Sequence, residues 1–414
     1  MGFEATVEAR SLPTRLDRYP AKMVSRLAER LVEQYASGAG SLLDPFCGSG
    51  AIIGAAQRKG IPVTGVDINP YAVLLSSVKT RAFSAKKAEQ LCYALLAKAK
   101  MSSEILPIRW QAKGYWFSPA TIDKYERLRY AAREMGLNSS TTGRVVLLAL
   151  ALSVRLCSRA DQRSPKPFIS RKASQERRGR HFCPYTSIEG LLHDLCRLHA
   201  VPRRPASSTV VMLDVRDESV GVADIGLHTH VVTSPPYINA QDYFRNFKLE
   251  LYILEGPLPF SVDALKGRFV GTERGDLTHG IREAEMEGHC QLLPELRCLH
   301  KSSRRHALVV HRYLSDMGKA FDTISRVLQP HGTCVVVCGD NLIGGSHICT
   351  WKVLNALLEQ RGFELFDSFS DPITRRMLPP QRCGHKGLVK EERVSAFRMG
   401  RSGVYAPTPG QPMK

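Results

Sequence analysis

Two groups of residues have the types and spacing for chemistry. The first is Asp44-Pro45-Phe46-Cys47-Gly48-Ser49-Gly50, which follows the apolar pair Leu42-Leu43 and sets two glycines where a strand would turn into a helix. Lacking a Cβ, such positions let backbone N–H groups come close to a ligand. A phosphate does not suit this loop. No lysine follows in register, and Ile53 stands where a dinucleotide loop carries its third glycine, which disfavours ATP and NAD. Asp44 would repel a phosphate but can accept a hydrogen bond from an ammonium group. About 20 residues on, the apolar run Val63–Asp67 ends in a carboxylate able to accept a pair of ribose hydroxyls. An ordinary strand-to-helix turn at Gly48 and Gly50, and a plain helix N-cap at Asp67, are the alternatives.

An ammonium and a ribose together describe S-adenosylmethionine. The second group, Ser234-Pro235-Pro236-Tyr237, ends the apolar run Val231-Val232-Thr233. Prolines stop a strand and stiffen the loop after it, so a side chain and a carbonyl become fixed acceptors. An exocyclic amine of a nucleobase is a poor nucleophile, because its lone pair is delocalised into the ring. Acceptors that grip both N–H groups favour a tetrahedral nitrogen able to attack a methyl group. The Ser234 hydroxyl and the Pro235 carbonyl have that character, and Tyr237 offers a face on which a flipped base can stack.

These two groups resemble the motifs of the DNA amino-methyltransferases, a D-P-F-x-G-S-G loop for S-adenosylmethionine and an [SDN]-P-P-[YF] loop for the target amine. The resemblance covers roughly residues 10–80 and 207–397. It implies that Asp44, Pro45, Phe46, Cys47, Gly48, Ser49, Gly50, Asp67 and Ile68 bind the cofactor and that Ser234, Pro235, Pro236 and Tyr237 are catalytic. Tyr19 and Lys22, in Arg18-Tyr19-Pro20-Ala21-Lys22-Met23, resemble the extra cofactor motif of that family. Asp214 stands where the family places a carboxylate near the cofactor adenine, with an N-cap or a surface turn as the alternative. Serine opening the tetrapeptide resembles the cytosine-N4 branch, whereas Asp or Asn is commoner in adenine-N6 enzymes. No cysteine sits where carbon-5 methylation would need one, and Cys47 reads as a packed thiol.

The elements that must position these residues follow from pattern. Helix near Ala21–Gln34, strand Ser41–Asp44, helix from Ser49, strand Val63–Asp67 and a helix opening at Asn69-Pro70 compose a βαβ unit and so a parallel sheet. The pattern resumes with strands Thr209–Leu213 and His230–Thr233, a helix near Asp316–Leu328 and strand Thr333–Cys338. A helix near Thr350–Gln360 and strands near Phe363–Ser368 and Arg393–Phe397 close it. The expected fold is α/β, a Rossmann-like, mostly parallel seven-stranded sheet with helices on both faces. It divides into 1–80 with the cofactor loop, a basic and mainly helical insertion at 81–206, 207–400 with the target-amine loop, and a disordered tail at 401–414.

The whole chain has 414 residues and a formal charge of +19, which points to a polyanionic partner. Residues 101–206 hold 19 Lys/Arg against 8 Asp/Glu, and Arg155 to His181 holds nine against two. Arg155, Arg159, Arg163, Lys166, Arg171 and Lys172 are therefore the expected phosphate contacts, against a solvated basic face as the plain alternative. Trp110, Tyr115, Trp116 and Phe117 read first as core and second as a stacking surface. Asn239 to Arg245 is a candidate lining of the base pocket, and Arg375, Arg376, Leu378 and Pro379 are candidate backbone contacts. Eleven cysteines without a C-x-x-C suggest buried thiols in a reducing compartment. No metal site is expected, at the tight His/Cys pair of His181-Phe182-Cys183 included. No membrane span and no signal peptide are seen, which suggests the cytoplasm. The expected activity is methyl transfer to a base amine in DNA. The rivals are an RNA base-amine methyltransferase, a silent nucleic-acid-binding relative and a nucleotide-dependent oxidoreductase, the last disfavoured by Asp44.

Overall fold

The computed structural model describes residues 19–20, 22–38, 40–164, 166–176, 182–198, 206–238, 243–272, 277–278, 281–373 and 391–400. Arg18, Ala21, Pro165, Arg177 to His181, Asn239 to Asp242, Arg375, Arg376, Leu378, Pro379 and the tail 401–414 lie outside them. Seven strands form one sheet: β1 (Leu42–Asp44), β2 (Val63–Asp67), β3 (Ser208–Met212), β4 (His228–Thr233), β5 (Leu328–Cys338), β8 (Phe363–Pro372) and β9 (Glu391–Met399). The short β6 (Asn341–Ile343) and β7 (Ser346–Ile348) make a separate hairpin. The order is β3-β2-β1-β4-β5-β9-β8. β1 to β5 pair in parallel, and β9 runs antiparallel to both neighbours.

Strand alternation gives the sheet its two covered faces. Leu42, Val232, Val335 and Val337 belong to the apolar cluster under the helices Ser25–Tyr35 and Ala51–Arg58. Their neighbours Leu43, Val231, Val336 and Cys338 face the opposite cluster, built on the helix Arg304–Val327 and the helix Thr350–Glu359. Asn69 caps the helix Pro70–Thr80, its side chain accepting from the Tyr71 amide with proline at the first turn.

The helix expected near Asp316 begins at Arg304, twelve residues earlier, because the apolar stripe Ala307, Val310, Leu314 extends it upstream. The helix Tyr243–Leu254 and the helices Glu283–Leu292 and Glu295–Ser302 were not anticipated.

Between β2 and β3 the basic segment folds into helices, among them Ala85–Met101, Pro119–Glu134, Thr141–Cys157 and Pro184–Leu198. Their apolar residues join those of Pro70–Thr80 and Tyr243–Leu254 in a single cluster. Thirteen of the seventeen residues of Thr141–Cys157 are buried, so this helix is the centre of the segment. Two buried arginines fasten the segment to the chain beyond β4. Arg129 donates to the carbonyls of Leu106, Ile253 and Glu255 at 2.6, 3.2 and 2.5 Å. Arg155 donates to the carbonyls of Ser164 and Asn246 and pairs with the Glu250 carboxylate at 3.2 Å.

Candidate functional site

The strand order reverses between β1 and β4, which lie side by side but lead to opposite halves of the sheet. Such a switch point opens a crevice at the carboxyl ends of its strands, where α/β proteins bind ligands. β1 delivers the glycine loop there, and β4 delivers Ser234 to Tyr237. The two strand ends are tied directly: the Thr233 hydroxyl donates to Asp44 Oδ1 at 2.8 Å. Residues 190 apart in sequence thus line one cleft. Its walls include Asp44, Gly48, Asp67 and Ile68 on one side and Ser234 and Pro236 on the other.

Local geometry follows from the glycines. Gly48 lies at φ +48°, and a Cβ there would meet the Tyr19 ring at 3.0 Å. Gly50, at φ +78°, caps the helix Ala51–Arg58, and a Cβ there would be strained by the backbone and come within 3.0 Å of Ser76. Tyr19 in turn stacks on Phe247 and tilts against Tyr243, which lines the cleft. Pro45, Phe46, Cys47, Ser49 and Lys22 also line it. Cys47 is buried 3.9 Å from the Ser76 hydroxyl, and burial pushes its thiol well above the usual range, consistent with packing rather than reactivity.

Asp67 holds the loop in shape, its two oxygens accepting from the Gly48 amide at 2.9 Å and the Asn69 amide at 2.8 Å. One lone pair remains on each oxygen. Burial raises its pKa to about 6, against the pull of those two amides. Asp44 is pushed further, to about 7, because burial outweighs the Thr233 hydroxyl and the Phe46 amide that reach it. Both donors are neutral, so a cationic group bound in the cleft would meet a carboxylate that gains by its charge. Such an environment fits the ammonium of S-adenosylmethionine, with Asp67 within the same cleft for hydroxyl donors.

Three expectations change. Asp214 lines the cleft, yet Oδ1 accepts from the Arg216 amide and Nε, and Oδ2 from Arg216 and Arg268 guanidinium nitrogens. Burial would raise its pKa, but Arg216 overcomes this and holds the carboxyl below its usual range. All four acceptor positions are filled, so none is left for an adenine amine; Asp214 anchors Arg216, which also pairs with Asp316 at 2.9 Å. In the tetrapeptide, Ser234 and Pro236 line the cleft, while Pro235 is buried and outside its lining. Tyr237 packs on the cluster beneath and donates its hydroxyl to Glu392 of β9 at 2.5 Å. Burial, then Glu392, pushes the phenol well above its usual range, so it stays a donor.

Arg155 is the third correction. Only 7% exposed and turned inward to Glu250, it is an internal brace and not a phosphate contact. Arg159 is exposed and reaches the carbonyls of Gly114 and Tyr115; Arg163 chelates Asp161 at 2.9 and 2.6 Å. Lys166 is half-buried, whereas Arg171 and Lys172 are exposed. Trp116 and Phe117 are buried, and Trp110 stacks on Tyr252 at 4.4 Å, which makes this cluster core; Tyr115 alone is exposed. Thr233 and Glu392, which tie the motif loops to each other and to β9, carry no sequence signal beyond their places at strand ends.

A family model described as DNA methylase, of the N6/N4 type, matches residues 4–77, the segment that carries the glycine loop and Asp67. Type II methyltransferase M.MjaII of Methanocaldococcus jannaschii is 28% identical over 88 residues, 21% of this chain and 17% of that protein. Type II methyltransferase M.MvaI of Kocuria varians is 36% identical over 83 residues, 19% of this chain and 18% of that protein. The chain thus matches less than a fifth of the length of these curated relatives. Among solved structures, a SAM-dependent methyltransferase of Methanosarcina mazei aligns over 89% of this chain and 97% of its own, at 10% identity and a TM-score of 0.32.

Proposed function

We propose that the protein is an S-adenosylmethionine-dependent methyltransferase acting on the exocyclic amine of a base in DNA, cytosine N4 in preference to adenine N6. The observation that carries this reading is the Thr233–Asp44 contact, which brings the DNA methylase loop and Ser234-Pro235-Pro236-Tyr237 to one cleft. When bound, the cofactor supplies a methyl group activated by its sulfonium. Asp44 accepts its ammonium, and Asp67 shapes the loop through Gly48 and accepts from hydroxyls. The Ser234 hydroxyl and the Pro235 carbonyl accept N–H from the target amine, leaving its lone pair free for in-line attack. Tyr237, tied to Glu392, braces the loop that presents Ser234 and Pro235. Catalysis is then mainly positioning and electrostatics. The choice of cytosine rests on the serine that opens the tetrapeptide, and a restriction–modification role on the Type II relatives. No helix among the described residues is long and apolar enough to cross a membrane, and the cytoplasm is the compartment we infer.

The test is transfer of labelled methyl from S-adenosylmethionine to duplex DNA and to total RNA in parallel, read by nucleoside mass spectrometry. N4-methylcytosine in DNA is expected. N6-methyladenine would reverse the choice of base, and label in RNA alone would replace DNA by RNA as substrate.

Asp44 also makes cofactor affinity depend on pH. Because burial holds its carboxyl at about 7, the ammonium-binding form disappears as pH falls through that value. Affinity measured by calorimetry is expected to rise roughly tenfold per pH unit between about pH 5 and 7 and then level off. Asp44→Asn should flatten this rise and weaken binding near pH 7.5 by about 2–3 kcal/mol, the worth of a charge-assisted hydrogen bond. A variant that keeps the slope would remove Asp44 from this role.

A further inference from the structure

Beneath the sheet, on the face opposite the helices Ser25–Tyr35 and Ala51–Arg58, three helices bring imidazoles and a thiol to one point. His289 and Cys290 close the helix Glu283–Leu292, His300 lies on Glu295–Ser302, and His311 lies on Arg304–Val327. His289, Cys290 and His311 are buried, and His300 is half-buried. Cys290 Sγ and one ring nitrogen each of His300 and His311 lie within 4.8 Å of one another. None of them lines the cleft described above.

We infer that Cys290, His300 and His311 form a binding site for a zinc-class divalent ion that staples the two short helices to the long one. His300 Nε2 and His311 Nε2 are 2.9 Å apart. Two Zn–N bonds of about 2.0 Å at the tetrahedral angle place their nitrogens roughly 3.3 Å apart, so small ring shifts admit the ion. A thiolate with two imidazoles is a borderline-soft set, which selects zinc over magnesium or calcium. The other nitrogen of His311 is 3.1 Å from His289 Nδ1, and His289 Nε2 is 4.0 Å from Glu285. That succession, ligand imidazole to imidazole to carboxylate, is the outer shell that orients a metal-bound histidine.

A chain of hydrogen-bonded imidazoles would account for the three histidines without an ion. It would not account for the thiol converging on the same point, nor for so many polar groups among Leu296, Leu299 and Val310 of the apolar cluster. On binding, the Cys290 thiol gives its proton to solvent and the thiolate bonds the metal. Among the described residues the site offers three ligands, which leaves one tetrahedral position for a water. The ion would add metal–ligand bonds between the helices Glu283–Leu292 and Glu295–Ser302 and the long helix to the packing of Leu296 and Leu299. This inference stands apart from the proposed methyl transfer and departs from the expectation of a metal-free chain.

The experiment uses the full chain, loaded with Zn²⁺ alone and exchanged into metal-free buffer, with the bound ion counted by elemental analysis. About one zinc per chain is expected to remain, and Co²⁺ in its place should give the charge-transfer absorption of a thiolate ligand. Cys290→Ser and His300→Gln should each cut retained zinc at least tenfold. His289→Ala should weaken affinity about 10–100-fold, as outer-shell changes do. His347→Gln, in the separate and more exposed group of Asp340, His347 and Cys349, should leave retention unchanged. A wild-type chain that retains no zinc and shows no cobalt–thiolate absorption overturns the inference, whether or not the variants fold. So does an ion that survives both Cys290→Ser and His300→Gln.

Discussion

Tyr237→Ala is expected to lower the methyl-transfer rate constant by about 100-fold while changing cofactor affinity by no more than about twofold. The ring is outside the cleft lining and packs on the apolar cluster, so its loss falls on the placement of Ser234 and Pro235 and not on the glycine loop. A misplacement of about 1 Å at the reacting centre costs about 10²-fold. Tyr237→Phe separates the ring from its tether. It keeps the packing of the ring and loses only the hydrogen bond to Glu392, for which about tenfold is expected. Single-turnover kinetics with a parallel cofactor titration reads both quantities. Equal losses in rate and in cofactor affinity would refute the division of labour between the two loops.

Arg155→Ala should destabilise the fold by about 3–5 kcal/mol, because it removes the guanidinium paired with the buried Glu250 carboxylate. Replacing both members, Arg155→Met with Glu250→Leu, should recover most of that loss, since the desolvation cost of the pair disappears with it. Denaturant unfolding measures the stability. Salt dependence of DNA binding gives the contrasting readout. It should be unchanged in folded Arg155→Ala, whereas Arg171→Ala with Lys172→Ala should reduce the slope by up to about two, roughly 0.9 per phosphate contact. A variant at Arg155 that kept full stability but lost salt slope would restore it to the nucleic-acid surface.

The two motifs and the strand patterns were legible from local sequence for a physical reason. β2 is found at Val63–Asp67 as read, and the cap at Asn69-Pro70 starts its helix as expected, because strand alternation and capping depend on neighbours a few residues away. The seven-stranded, mostly parallel sheet follows from the same alternation of strands and helices. The helix Tyr243–Leu254 escaped notice because nine of its twelve residues are buried, which leaves little polar contrast to reveal its period.

Sequence alone determined which residues form the two loops and that they sit at strand ends. Tertiary structure decided what each charge is for. Asp44 and Asp214 are both acids at strand ends, yet burial beside neutral donors raises one to about 7, whereas two guanidiniums saturate the other. Arg155 and Arg171 belong to one basic run, yet the first is turned into the core and the second is exposed. Composition counts charges along the chain. Desolvation and pairing act through space, and only the packing of helices from distant segments sets them.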